Sequence, residues 1–302
     1  MQLLLIISVF IFGSIIGSFL NVVIYRYNSS ASPLKGRSQC FSCGKTLTPL
    51  ELVPIFSFLF SKGRCRGCGV RISWQYLIVE LLIGAMFVAV FLLEKSLLES
   101  AFLIIIFSTL LVIAVYDMRH QIIPDGLAML FALLALLRFL SEVGIAHAVY
   151  LPDAWTLIAG PMLFLPFWAL WYASQGRWLG LGDGKLAFGM GWFLGVGQGA
   201  TAVILAFWIG AAYALTLMAI QSIAIRARAY ASQKSKAKKS TKFAYLYARS
   251  TLRTLDFMGS TGKRLSMQSA IPFGPLLILA LFIVYFTQVN FFGPLGILYL
   301  PQ

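Results

Sequence analysis

Apolar positions dominate this chain in long runs, and polar positions gather in a few segments between them. Runs long enough to cross about 30 Å of hydrocarbon recur from end to end. They predict helical membrane spans near 3–25, 74–93, 100–116, 126–141, 154–174, 186–197, 200–222 and 271–290. The stretch 186–220 is uncharged throughout, and Gly197-Gln198-Gly199 offers a turn that divides it. The first run, "LLLIISVFIFGSIIGSFLNVVIY", has no basic residue before it and is too long for a signal-peptide core, so it reads as a retained span.

Composition agrees with the pattern. Of 302 residues, 60% are hydrophobic and only 11% charged, against about 45–50% and 25% in soluble domains. Mean hydropathy is +0.86. The net charge of +14 does not point to nucleic acid, because in a membrane protein the position of basic residues carries the information. With eight spans and the N-terminus outside, the inner loops are 26–73, 117–125, 175–185 and 223–270. They hold 8, 1, 2 and 11 Lys and Arg, which is 22 of the 24. Merging 186–220 into one helix would send the most basic loop outside, against the positive-inside bias.

This topology places two carboxylates at one face of the membrane. Asp117 follows "AFLIIIFSTLLVIAVY", and Asp183 stands in "LGLGDGKL". Gly180 and Gly182 allow a tight turn and close approach of another chain. Pro124 suits the start of a helix. A carboxylate at the edge of hydrocarbon is a functional candidate by default. Two brought together share a proton and become base and acid around one water, the chemistry of metal-free peptide hydrolysis. The competing reading makes both solvated loop residues, or partners of Arg119 and Lys185.

All four cysteines lie in one inner loop, as Cys40-x2-Cys43 and Cys65-x2-Cys68. The spacing is that of two knuckles, each holding one side of a tetrahedral zinc. A reducing cytoplasm disfavours two disulfides, although disulfides or unligated thiols stay open. Four thiolates close the metal's shell, so the zinc would fold the loop and not catalyse.

The residues 180–183, Gly-Leu-Gly-Asp, form the "GxGD" signature of intramembrane aspartyl proteases. Asp117 with "MRHQIIPD" resembles the other half of the active site in bacterial prepilin peptidases. "GSFLNVVIYR" at 17–26, the paired cysteines, "GRCRGCGVRISWQYLIVELL" at 63–82 and "IPFGPLL" at 271–277 resemble that family in the same order. The resemblance implies a bifunctional enzyme of the bacterial inner membrane, with its active site facing the cytoplasm. Its substrates would be prepilins or pseudopilins, its catalytic pair Asp117 and Asp183, and its methyl donor S-adenosylmethionine, used to N-methylate the residue exposed by cleavage. No glycine-rich dinucleotide fingerprint identifies the methyl-transfer residues. A peptidase without methyl transfer, and a non-enzymatic scaffold docking partners through the zinc loop, are the rival readings.

Several other residues carry weaker signals. Arg26 reads as a snorkelling anchor beside Asn21, with substrate or cofactor contact as the alternative. Glu80, inside the second span, needs a partner, either Arg71 or the substrate's passage. His120, three residues past Asp117, reads as a plain interfacial histidine, with tuning of Asp117 as the alternative. The long basic segment 226–264 and the stretch "YRYNSSASPLKG" depart from the family pattern. "SQKSKAKKSTK" reads as disordered, and its basic neighbourhood as an anchor to anionic lipid.

The expected architecture is therefore all-α and polytopic, with a zinc-ribbon-like cytoplasmic loop. Its parts are a first helix at 1–27, the four-cysteine loop at 28–73, a peptidase core at 74–225, a basic loop at 226–270, and a last helix with the C-terminus at 271–302.

Overall fold

The computed structural model describes residues 2–29, 32, 35–94, 96–146, 154–237 and 272–292. Their order is α1 (Gln2–Arg26), a 3-10 turn (Pro49–Glu51), α2 (Phe56–Phe60), α3 (Trp74–Leu93), α4 (Leu97–His120), α5 (Asp125–Ala146), α6 (Ala154–Ser174), α7 (Leu181–Ala237) and α8 (Gly274–Thr287). Among the described residues there is no strand, only two isolated bridges, Gln39 with Thr46 and Arg64 with Arg71. The all-α membrane architecture is thus as expected.

Five helical segments are long and apolar enough to cross a membrane: Gln2–Arg26, Trp74–Leu93, Leu97–His120, Leu157–Ser174 and Leu181–Arg226. α8 is a shorter apolar helix. These segments do not establish eight separate spans. The helical path continues through 186–220, and its interruption falls at Gly195 (φ 75, ψ 177), not at Gly197–Gly199. Gly195 takes a conformation open to glycine alone without strain. Gly197 and Gly199 stay helical and serve as contact points, where an added Cβ would meet the Asn290 amide at 3.2 Å and crowd the Leu163 side chain.

α7 also runs to Ala237, so the first part of "SQKSKAKKSTK" is helical where disorder was expected. Its Ala, Lys and Gln residues are good helix formers. The rest of the basic segment lies outside the described residues.

Two apolar clusters organise the bundle, and α4 belongs to both. Ile106, Phe107 and Leu110 join Phe131 of α5, Leu186 and Met190 of α7, and Leu277 and Leu281 of α8. Leu111, Val112 and Val115 join Ile24 of α1 and Val79, Ile83 and Phe87 of α3. A helix covered on both sides is apolar all round, and α4 is the most buried of the candidate spans. The α1–α3 contact is made by small residues: Cβ atoms on Gly13 and Gly17 would stand 2.8 Å from Phe87 and 2.9 Å from Glu80 Cα. Gly13 and Gly17 are four apart, the spacing that lets membrane helices pack backbone to backbone.

Candidate active site

Asp117 lies in the last turn of α4, and α4 ends in a left-handed Gln121 whose N–H donates to the Asp117 carbonyl at 2.8 Å. The chain then passes through Ile122 and Ile123 to Pro124 and α5. Ile123 is buried and fills the space between two glycines from distant segments. A Cβ on Gly182 would sit 3.0 Å from Ile123 Cβ, and one on Gly274 would sit 3.0 Å from Ile123 Cδ1. Close backbone approach at these positions brings the start of α7, the start of α8 and the end of α4 together.

Asp183 occupies the first turn of α7 and is 9% exposed, while Asp117 is 4% exposed. Their carboxylates are near enough for the Asp117 charge to act on Asp183. The N–H of Gly274, first residue of α8, donates to the Asp117 carboxylate. Asp183 thus stands in the first turn of α7, while Asp117, at the C-terminal end of α4, faces the first N–H of α8.

The cations expected to neutralise them are engaged elsewhere. Lys185 Nζ lies 2.7 Å from Asp125 Oδ1. Arg119 donates to the Tyr25 hydroxyl at 2.6 Å and lies over that ring, 4.0 Å from its centroid. Among the described residues neither Asp117 nor Asp183 forms an ion pair. The reading of two carboxylates paired with Arg119 and Lys185 is thereby removed. His120 packs on Tyr116, with centroids 4.4 Å apart, and is exposed.

The remaining polar candidates serve the loop between α1 and α3. Arg26 donates to the carbonyls of Ser32 and Lys35, each at 2.8 Å, and of Arg37 at 3.2 Å, so it fixes the loop's entry. Asn21 donates to the Tyr76 carbonyl at 3.2 Å and ties α1 to α3. Glu80 does not meet Arg71. It is buried and accepts the Ile55 N–H at 2.7 Å and the Ser18 hydroxyl. Truncating it to alanine would orphan that N–H. We expect Glu80→Ala to destabilise the fold by about 1–3 kcal/mol, read as a lower unfolding midpoint of the reconstituted protein.

The two knuckles repeat one geometry. In the first, Gly44 N–H donates to the Cys40 carbonyl and Cys40 N–H to the Lys45 carbonyl, both at 2.9 Å. In the second, Gly69 and Cys65 donate to Cys65 and Val70 at the same 2.9 Å. Each turn closes on a glycine of positive φ, Gly44 at 69° and Gly69 at 72°. All four Sγ atoms lie within 4.8 Å of one another, and Cys40 and Cys68 are 3.9 Å apart. Tetrahedral zinc with Zn–S of about 2.3 Å needs sulfur separations of about 3.8 Å. The donor set fits.

Its electrostatics fit as well. The N–H groups of Cys43 and Ser42 lower the Cys40 thiol to about 6. Cys43 receives the Lys45 N–H, yet the surrounding thiols, Cys68 foremost, raise it to about 11. Four thiolates this close require a cation among them. Beside the knuckles, the Lys45 ammonium at 2.8 Å and the Thr48 N–H hold the Glu51 carboxyl down to about 2.

Sequence reading did not find Gly274 or Ile123 as parts of the site. A backbone donor and an apolar spacer show no reactive side chain. Both lie inside stretches that resemble the family, "MRHQIIPD" and "IPFGPLL", and Pro275 marks a helix start, but none of this says what the residues face.

The helical bundle thus buries two aspartates where helix ends converge, with no ion pair to either among the described residues. Residues 11–93 match the family described as Bacterial Peptidase A24 N-terminal domain, and residues 104–215 match the Type IV leader peptidase family. The chain is similar to the prepilin leader peptidase/N-methyltransferase of Klebsiella pneumoniae, 33% identical over 192 residues, covering 60% of this chain and 82% of the relative. That of Dichelobacter nodosus is 32% identical over 208 residues, covering 58% and 70%. That of Bacillus subtilis (strain 168) is 39% identical over 135 residues, covering 44% of this chain and about half, 54%, of the relative. No solved structure matches the chain. The chain belongs to the type IV leader peptidase family.

Proposed function

We propose that this protein cleaves the leader of prepilins or pseudopilins at the cytoplasmic face of the bacterial inner membrane and N-methylates the residue thus exposed. The observation that carries the reading is the pair Asp117 and Asp183, both buried, mutually interacting and free of cations among the described residues. One carboxylate, ionised, takes a proton from water as its oxygen attacks the scissile carbonyl. The new C–O bond gives a tetrahedral intermediate, which collapses as the other carboxyl, protonated, gives its proton to the departing amine and the C–N bond breaks. Gly274 N–H donates to the Asp117 carboxyl and so orients it.

S-adenosylmethionine, when bound, supplies an activated methyl, and the protein's share is binding and orientation. Methylation needs the free amine that hydrolysis creates, which fixes the order of the two steps. The four-cysteine loop precedes the aspartates in the chain and is not needed for acid–base chemistry, so we assign it to the second step. A structural zinc held by Cys40, Cys43, Cys65 and Cys68 would shape it.

The test is mass spectrometry of a prepilin incubated with the reconstituted enzyme and methyl donor. The expected product has lost its leader and gained one methyl at the new N-terminus. Replacing Cys40 and Cys43 by serine is expected to lower methylation more than cleavage. A loop variant that keeps methylation and stops cleavage would overturn this division, and a wild-type enzyme that leaves the prepilin whole would favour the scaffold reading.

Gly274→Ala supplies a further check. Its methyl would stand 2.7 Å from Asp117 Oδ2 and 3.0 Å from Ile123. We expect cleavage to fall about 10–100-fold, the scale of a catalytic group displaced by about an ångström, with membrane insertion unchanged.

A further inference from the structure

The segment between the two knuckles carries large apolar side chains that nothing among the described residues covers. Leu50 is 72% exposed, Phe56 55%, Leu59 56% and Phe60 77%. Phe56 and Phe60 are one turn apart on α2 and stack with centroids 6.4 Å apart. A groove of about 290 Å³ runs between Leu50, Val53, Phe56, Ser57, Phe60 and Arg66. It is an apolar slot with one guanidinium at its edge.

The depth of this segment identifies what covers it. Phe58, the buried residue of α2, packs on Trp74 at the start of α3 with centroids 5.1 Å apart. Ile55 N–H is held at 2.7 Å by Glu80, six residues into α3. Six residues of helix rise about 9 Å, so, with the bilayer boundary at Trp74 as expected for the span 74–93, the turn before α2 sits level with the second turn of α3. That is the depth at which interfacial helices bury their apolar faces, about 5–10 Å into the headgroup and acyl boundary.

The backbone is built for such a place, where each polar group needs an internal partner. Phe56 N–H donates to the Pro54 carbonyl at 2.6 Å, Ser57 to Val53 at 3.0 Å and Leu59 to Ile55 at 3.1 Å. Ile55 itself takes φ 62 and ψ −56, a γ-turn that β-branched residues avoid. Its N–H reaches Glu80 through that strained turn. Exposed Lys62, Arg64, Arg66 and Arg71 follow directly in the chain, complementary to the anionic inner leaflet.

We infer that residues 50–60 form an interfacial membrane wedge whose groove takes a phospholipid acyl chain, with Arg66 on the phosphate. The wedge anchors the cysteine loop to the bilayer beside α3. Glu80 is the pin that sets its depth.

The test uses the full chain in nanodiscs containing phosphatidylglycerol with a photoactivatable diazirine on one acyl chain, followed by peptide mapping. Adducts are expected on residues 52–60 at yields comparable to those on Ile78 and Leu82, outward residues of α3 that are 47% and 44% exposed. Phe60→Asp is expected to lower the adducts on 52–60 several-fold and leave those on α3 unchanged. Adducts confined to α3, with Phe56 and Phe60 as reactive toward water-borne hydroxyl radicals as Phe41 of the first knuckle, would overturn the inference. So would equal labelling in Phe60→Asp. Loss of the adducts on adding a stoichiometric peptide of the substrate's apolar helix would reassign the groove to substrate, and that outcome also overturns it. None of these readouts depends on peptidase activity.

Discussion

Asp117→Asn and Asp183→Asn are each expected to abolish leader cleavage, lowering its rate by at least about 10³-fold, while leaving the bundle intact. Asparagine keeps the size of the side chain and, at position 117, an oxygen able to accept the Gly274 N–H. What it removes is proton exchange, which is worth about 10²–10⁴-fold for one positioned group. The two acids act on a single water, so losing either stops both halves of the exchange. The double variant should be little worse than either single one. Methylation should vanish with cleavage in every case, because the amine is never freed. Timed mass spectrometry of prepilin processing, with purified variants matched for helicity and membrane insertion, gives the comparison. Near wild-type cleavage by either variant would remove the assignment.

Freshly purified protein is expected to carry one zinc per chain, and Cys40→Ser or Cys65→Ser to lose it. Structural zinc in small cysteine modules binds with about 10–16 kcal/mol at neutral pH, and here it would join two knuckles whose own backbone hydrogen bonds are local. The loop's regular structure is two bridges, a 3-10 turn and α2, and of the cysteines only Cys65 is buried. Each variant should therefore speed hydrogen exchange across 38–48 and 63–72 by orders of magnitude, while α4, inside both apolar clusters, keeps its protection. Elemental analysis and exchange mass spectrometry on the same sample decide it. Zinc-free protein with all four sulfurs locked in disulfides would refute the metal centre.

Much of the fold was legible because membrane spans are written in composition. The expected 74–93 and 154–174 coincide with α3 and α6, and α1, α4 and α5 differ only by a few residues at their ends. The break in α7 was misplaced because three glycines stand within five residues, and tertiary contact chose among them. Gly197 and Gly199 are used against Asn290 and Leu163, which leaves Gly195 free to turn.

The acids were legible as residue types at the edge of hydrocarbon. The absence of an ion pair to either among the described residues was not, since it depends on Lys185 choosing Asp125 and Arg119 choosing Tyr25. Glu80 shows the same limit. Its partner is a backbone N–H presented by a strained turn, and no residue type announces that.

The convergence on Asp117 has a consequence for how the protein is made. The donor to its carboxylate comes from Gly274, 157 residues later in the chain. While a ribosome is still producing α5, α6 and α7, the acid at the end of α4 has neither this donor nor the cover of α8. A partly synthesised chain is therefore a protease without a finished site. In the proposed mechanism, the start of α8 must therefore reach the end of α4 before the pair can work as described.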